Sequence, residues 1–242
     1  AVNHRNHTQP NTQTPDQPTD PEPKRRVVIG ITGASGAAYA QRIISHLVEL
    51  GHETHIVITS YGKRLLQDEL GMEAANYANL HTLTGLNTAK QDPKQLHLDH
   101  RVYLHPSKDV GASLGSGSFR HDGMIVIPCS SNTLGAIASG YGNELLTRAA
   151  ACALKERFPL VICHREAPIN RVDIENYLRL HDAGANIMPT NPGFYYHPQT
   201  VQDLVDFVAA RALDQLNINH RLSKRWNQHL ADQHAAAQPN HD

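Results

Sequence analysis

Val27-Val28-Ile29-Gly30-Ile31-Thr32-Gly33-Ala34-Ser35-Gly36-Ala37-Ala38-Tyr39 decides how the rest of this 242-residue chain is read. An unbroken run of Val and Ile suits a parallel strand buried on both faces. It passes through glycine, threonine and serine into a segment that favours helix, so the order is strand, tight turn, helix. Glycines let the backbone bend and approach a ligand with no Cβ in the way, and the first amides of the following helix then face an anion. Thr32 and Ser35 add hydroxyl donors at that mouth. The glycines are spaced GxxGxxG, unlike the GxGxxG of dinucleotide folds, and two readings stand side by side: a nucleotide-type cofactor bound at the turn, or a purely structural tight turn.

Working outward, residues 1–24 hold Pro, Thr, Asn, Gln and His with Val2 as the single branched aliphatic, and are expected to form a disordered tail. Strand one is expected over residues 24–32 and helix one over 35–50, where Ile43, Ile44, Leu47 and Leu50 recur at helical spacing and Gly51 ends the helix. A second strand over 53–59 ends in Thr59-Ser60-Tyr61. NAD-binding folds carry an Asp or Glu about 20 residues beyond the glycines to hold the ribose. Hydroxyls stand there instead, which favours a phosphorylated or flavin ligand over a nicotinamide. A short helix over 63–70 places Glu69 near its end, and residues 71–100 read as an insertion or lid.

Further strands are expected over 101–105, 123–128, 159–163 and 185–189, and helices over 134–139, 144–157, 170–182 and 201–216. The loop 108–119 is half Gly and Ser, either a flexible connection or a second ligand wall. Ligands of open α/β sheets lie beyond the carboxyl ends of the strands, where Ser130-Ser131-Asn132-Thr133 stands after one strand and Arg165-Glu166 after another. An N-cap explains one such hydroxyl; three in four residues point to ligand contact. Arg148, Cys152 and Lys155 fall on one helical face, either a solvated cationic stripe or a cleft wall. The predicted architecture is α/β, a flavodoxin-like or Rossmann-like three-layer sandwich with a mostly parallel sheet, one domain over 25–230 and a polar tail over 231–242.

Composition limits the partners. With 22 basic and 23 acidic residues the formal net charge is -1, which leaves no footprint for nucleic acid. No apolar run approaches a membrane span and no signal-peptide apolar region opens the chain, so a cytoplasmic location is the expectation. Cys129, Cys152 and Cys163 lack CxxC spacing and read as buried thiols. The 17 histidines include helical-turn pairs at His4 and His7 and at His97 and His100, but no cluster completes a metal site, and none is expected.

Six motifs occur in a specific order: ITGASG at 31–36, SGSF at 116–119, Pro128-Cys129-Ser130 with Thr133 behind it, the RAA…LKER helix at 148–157, REAP at 165–168 and PGFY at 192–195. With them, residues 24–230 resemble the UbiX-like flavin prenyltransferase family. The resemblance implies a homo-oligomer, usually a dodecamer, that joins the five-carbon unit of dimethylallyl monophosphate to N5 and C6 of reduced FMN without a metal. Its product, prenylated FMN, would serve a UbiD-like decarboxylase. By position, Gly33, Ala34, Ser35, Thr59, Ser130, Ser131, Asn132, Thr133 and Arg148 are the implied flavin contacts. Lys155, Glu166, Tyr195 and Arg211 are the implied prenyl-phosphate site, with Glu69 and Arg165 beside it and Trp226 contributing across a subunit boundary. Within that scheme Lys155, Arg165 and Arg211 offer charge to a departing phosphate, Glu166 a proton route, and Tyr195 and Trp226 aromatic faces for an allyl cation. Two positions depart from the family pattern: His164, often Pro, and Val110, an aromatic in some members. The competing readings are an FMN-dependent cysteine-conjugate decarboxylase, whose PxMNxxMW loop is absent here, a non-catalytic flavin carrier, and a nicotinamide dehydrogenase.

Overall fold

The computed structural model describes residues 23–73, 76, 79–85 and 101–222. Six strands, β1 (Arg26–Ile31), β2 (Glu53–Ile58), β3 (Val102–His105), β4 (Gly123–Cys129), β5 (Leu160–His164) and β6 (Asn186–Ile187), form one sheet in the order β3-β2-β1-β4-β5-β6. Every pairing is parallel. This is the strand order of the doubly wound dinucleotide fold. The described helices are α1 (Ala37–Glu49), α2 (Ser60–Leu70), α3 (His81–Thr84), α4 (Ser131–Ala138), α5 (Leu145–Glu156), α6 (Arg171–Asp182) and α7 (Val201–Asp214).

Alternation along the strands builds three layers. Val27, Ile29 and Ile31 of β1 join Ile125 and Ile127 of β4 in a core with α1, α2, α3 and α7. Val28 turns the other way, with Met124 and Val126, into a core with α4, α5 and α6. A sheet covered on both sides requires apolar residues at odd and even positions alike, which is why β1 and β4 read as continuous apolar runs. Gly30 and Gly33 have packing reasons of their own. A Cβ at Gly30 would lie 2.8 Å from Leu146 Cδ1, and one at Gly33 would lie 2.4 Å from Tyr61 Cβ, so α5 and α2 approach β1 only because these side chains are missing.

The expected elements are present with shifted ends. Thr59 caps α2 by accepting from Gly62 N at 3.0 Å, and Ser130 caps α4 by accepting from Thr133 N at 3.3 Å. Each cap starts its helix three residues earlier than apolar periodicity suggested, because capping rather than burial sets a helix start. The last strand is Asn186–Ile187 alone. The described part of 71–100 packs as core: Met72, Leu80 and Leu83 are buried beside α1. The rest of that stretch, Trp226, most of the N-terminal tail and all of 231–242 lie outside the described residues, as do the two histidine pairs.

The amino edge of the sheet holds a buried polar network. Glu53 accepts from Arg26, from His55 Nε2 at 2.9 Å and from Arg101 Nη2 at 2.7 Å. His55 Nδ1 lies 2.8 Å from His105 Nε2. Burial pushes the Glu53 carboxyl up, but hydrogen bonds from Arg26, His55 and Arg101 outweigh it and hold the group at about 2. Burial depresses His55 to about 4 despite its bond to Glu53. The three cysteines are buried free thiols. Among the described residues, no helix is long and apolar enough to cross a membrane.

Candidate active site

The strand order reverses between β1 and β4: β1 leads outward to β2 and β3, and β4 leads the other way to β5 and β6. A crevice opens at such a point because the connections diverge to opposite faces. Here the two strand ends are stitched together by one side chain. Thr32 Oγ1 donates to Pro128 O at 2.8 Å and accepts from Ser130 N at 2.8 Å. Thr32 is fully buried. Its hydroxyl is therefore structural, not the ligand donor the sequence suggested. The β4–β5 register shifts between Val126 and Cys129, so the chain reaches Ser130 displaced from the regular ladder.

Beyond this stitch lies a cleft of about 610 Å³ lined by Gly33, Thr59, Ser60, Tyr61, Ser130, Asn132, Thr133, Ala136, Tyr141, Asn143, Glu144 and Thr147. Five sequence-predicted residues meet in it. Its size falls within the roughly 300–1,000 Å³ of small-molecule sites, and its walls carry hydroxyls and amides, as an aromatic ring edged with polar heteroatoms requires, together with the Glu144 carboxylate. Ser130 spends part of its capacity as a cap and on a 3.1 Å bond to Thr133 Oγ1, whereas the Asn132 side chain is exposed. Tyr141, Asn143, Glu144 and Thr147 were not anticipated. They arrive from the turn between α4 and α5 and from the first turn of α5, where isolated polar residues carry no periodic signal.

The first amides of α1 do face an anion, but it is one the protein supplies. Glu69, from the last turn of α2, accepts from Gly36 N at 3.0 Å and Ala37 N at 2.8 Å. Gly36, at φ 121°, brings the chain into the helix with no side chain of its own for capping. Burial raises the Glu69 carboxyl, but hydrogen bonds from Ser35 and from the Ala37 and Gly36 amides, together with nearby Arg165, outweigh it and leave it below the usual carboxylate range. The helix terminus expected to hold a ligand anion is thus occupied by a carboxylate.

A second cleft, about 480 Å³, is lined by residues that include Ser35, Tyr39, His164, Arg165, Glu166 and Tyr177. Arg165 and Glu166 do not pair with each other. Arg165 Nε donates to Ser35 O at 3.0 Å, tying this cleft to the β1 turn, and Glu166 accepts from Ala167 N at 3.1 Å. Ser131 links the two clefts: its neighbours Ser130 and Asn132 line the first, and its hydroxyl lies 3.1 Å from Nε2 of His164, which lines the second. Ala34 is buried beside this turn.

The remaining cations lie elsewhere in the chain. Arg148, Cys152 and Lys155 form one wall of a third cleft, about 550 Å³, opposite Val110 and Gly115–Gly117. The cationic face thus lines a cleft, and the Gly/Ser loop is its second wall. Arg148 Nε donates to Gly115 O at 3.3 Å, and Lys155 pairs with Glu156 at 2.5 Å, which raises the lysine above its ordinary value. Tyr195 packs against Tyr196 and, edge-on, Phe207 of α7, where Arg211 pairs with Asp214 at 2.9 Å. Arg211 therefore belongs to the layer of α1 and α7, and Lys155 to the layer of α4, α5 and α6, on opposite faces of the sheet. The Thr59, Ser130, Asn132 and Thr133 group comes together in one chain; Arg148, expected among the flavin contacts, and Lys155, Tyr195 and Arg211 do not join it there.

Comparison with known proteins bears on this geometry. The family described as Flavoprotein matches residues 15–213. A protein of Halalkalibacterium halodurans named flavin prenyltransferase UbiX is 41% identical over 202 residues, covering 83% of this chain and 92% of the relative. The crystal structure of a UbiX protein in complex with FMN and dimethylallyl pyrophosphate superposes with a TM-score of 0.72 at 35% identity, over 85% of this chain and 98% of that one. A dodecameric FMN-dependent UbiX-like decarboxylase from Escherichia coli superposes at 0.71 with 37% identity, over 83% and 98%.

Proposed function

We propose, from the premise that this chain belongs to the UbiX-like flavin prenyltransferase family, that it joins the dimethylallyl group of dimethylallyl monophosphate to N5 and C6 of reduced FMN. The observation that carries this reading is the 610 Å³ cleft at the switch point, with Thr59, Ser130, Asn132 and Thr133 around it and the Arg165–Glu166 cleft next to it. When bound, reduced FMN supplies the electron-rich ring that attacks the allylic carbon. Gly33, Ala34 and Ser35 shape the approach to the ring, Thr59 and Ser130–Thr133 orient it, and Ser131 adds a hydroxyl between the clefts.

The prenyl phosphate needs cations on its departing oxygens and a proton carrier near the carbon. Arg165 and Glu166 stand beside the flavin cleft for these tasks, and Glu69 holds the turn that carries Ser35. Arg148 and Lys155 in one layer, and Tyr195 and Arg211 in the other, reach a common ligand if copies of the chain bring opposite faces together. The solved relative described as dodecameric supports such an assembly. In this reading Trp226 adds an aromatic face from a neighbour, and the product passes to a UbiD-like decarboxylase. The absence of a PxMNxxMW loop disfavours cysteine-conjugate decarboxylation.

The test is anaerobic incubation with reduced FMN and dimethylallyl monophosphate, followed by the mass of the flavin. A gain of one five-carbon unit is expected, and unchanged flavin refutes the proposal. Glu166→Gln should retain flavin and lose turnover; full activity would remove Glu166 from the proton route. Mixing inactive Lys155→Ala with inactive Arg211→Ala should restore part of the activity, because a hybrid assembly then contains some sites with both wild-type residues.

A further inference from the structure

Resting on the flavin reading of the switch-point cleft, we propose that His164 is a positioning residue that carries the influence of the Tyr177 phenol to Ser131, making Ser131 a hydrogen-bond donor toward the flavin. His164 ends β5 and is buried, at 2% exposure. Both ring nitrogens are engaged: Nδ1 lies 2.5 Å from Tyr177 Oη and Nε2 lies 3.1 Å from Ser131 Oγ. The Tyr177 ring meets the imidazole edge-on with centroids 5.4 Å apart, so α6 holds it in place.

The direction of the chain follows from proton counting. A neutral imidazole has one donor and one acceptor nitrogen. Burial holds His164 below its usual value, outweighing Asp173 and Glu166 nearby, and Arg165 acts in the same direction as burial. Burial also raises the Tyr177 phenol, so it keeps its proton. The relay assigns that proton to Nδ1, across the 2.5 Å separation. Nδ1 therefore accepts, Nε2 carries the hydrogen, and Ser131 Oγ accepts from it. The proton of Ser131 cannot then return to His164 and is free for a ligand in the cleft that its sequence neighbours Ser130 and Asn132 line.

The opposite tautomer would draw the Ser131 proton onto His164 and leave only lone pairs for the ligand, which repel the carbonyl oxygens of a flavin ring. Tyr177 thus selects the polarity of a residue it does not touch. The proline often found at position 164 in the family pattern has no side-chain donor or acceptor to do this.

A double-mutant cycle on the full-length protein tests the inference, with FMN affinity read from quenching of flavin fluorescence. Ser131→Ala should weaken binding about 5–10-fold and Tyr177→Phe about 3–5-fold, the scale of one hydrogen bond to a polar ligand. The double variant should bind no more than about 1.5-fold weaker than Ser131→Ala alone, because the phenol acts only through the serine. His164→Gln, which keeps an amide N–H for Ser131, should retain most of the affinity that His164→Leu loses. If Tyr177→Phe does not fold, His164→Leu takes its place in the cycle with the same expectation. Single variants without effect, or effects that multiply in the double variant, overturn the relay while leaving the flavin reading intact. A wild-type protein that fails to bind FMN overturns both.

Discussion

Thr32→Val tests the claim that one buried hydroxyl holds the switch point together. Valine keeps the shape and the β-branch, so packing is conserved and the change removes polar chemistry alone. Two hydrogen bonds of 2.8 Å disappear. The Pro128 carbonyl keeps a partner, the Thr32 amide at 3.3 Å, and its loss costs about 0.5 kcal/mol. The Ser130 amide loses its side-chain acceptor at a part-buried strand end, where an unsatisfied donor costs about 1–3 kcal/mol. The sum is about 2 kcal/mol, or about 4–8 °C in Tm for a chain of this size. Thermal and denaturant unfolding at one protein concentration would measure it, since any assembly makes Tm concentration-dependent. Thr32→Ser, which retains the hydroxyl, should recover most of the loss. A Thr32→Val protein within 0.5 kcal/mol of wild type, or a serine variant no better than valine, would refute the stitch.

Three further outcomes follow from the same structure. Glu69→Ala should lower stability by about 1–2 kcal/mol, the scale of a cap plus a charge at a helix N-terminus, with Glu69→Gln intermediate; equality of all three in denaturant unfolding would contradict the capping role. In Glu69→Ala the exposed α1 amides should also add phosphate-dependent stabilisation beyond that of wild type, measurable as a larger rise in Tm with added phosphate. Stability should be complete above pH 6.5 and fall as pH is lowered. An unfolded histidine protonates near 6.5 while folded His55 resists until about 4, so the unfolded state binds more protons through that window. His46, His105, His121 and His164 are depressed by burial as well and steepen it. Glu53 adds a second loss between 4.5 and about 2, as the unfolded carboxyl protonates first. A denaturant midpoint unchanged between pH 6.5 and 5 would sink the histidine part.

What could be read in advance divides along the range of the interactions. Val27–Ile31 and Gly123–Pro128 announce buried parallel strands because burial on both faces leaves no room for polar residues. The Ser130–Thr133 group was legible as a candidate site because several hydroxyls fall together at one strand end, and three of its residues line the cleft. Thr32 was misread for the same reason: a hydroxyl at a strand end looks alike whether it awaits a ligand or bridges to Pro128, and only a residue 96 positions away decides. The α1 terminus was also misread, since Glu69 lies 32 residues from the Ala37 amide it caps. His164 looked like an incidental departure from the family pattern until its ring was found between Tyr177 and Ser131.

The amino-acid order alone determined the layered α/β architecture, the strand ends that carry the candidate site and the family, because these depend on local periodicity and on motifs contiguous in the chain. Only the tertiary structure decided which polar groups are already paired within the protein, and that Lys155 and Arg211 stand on opposite faces of the sheet. A side chain's remaining hydrogen-bonding capacity depends on neighbours brought together by folding, and no local pattern encodes which neighbours those are.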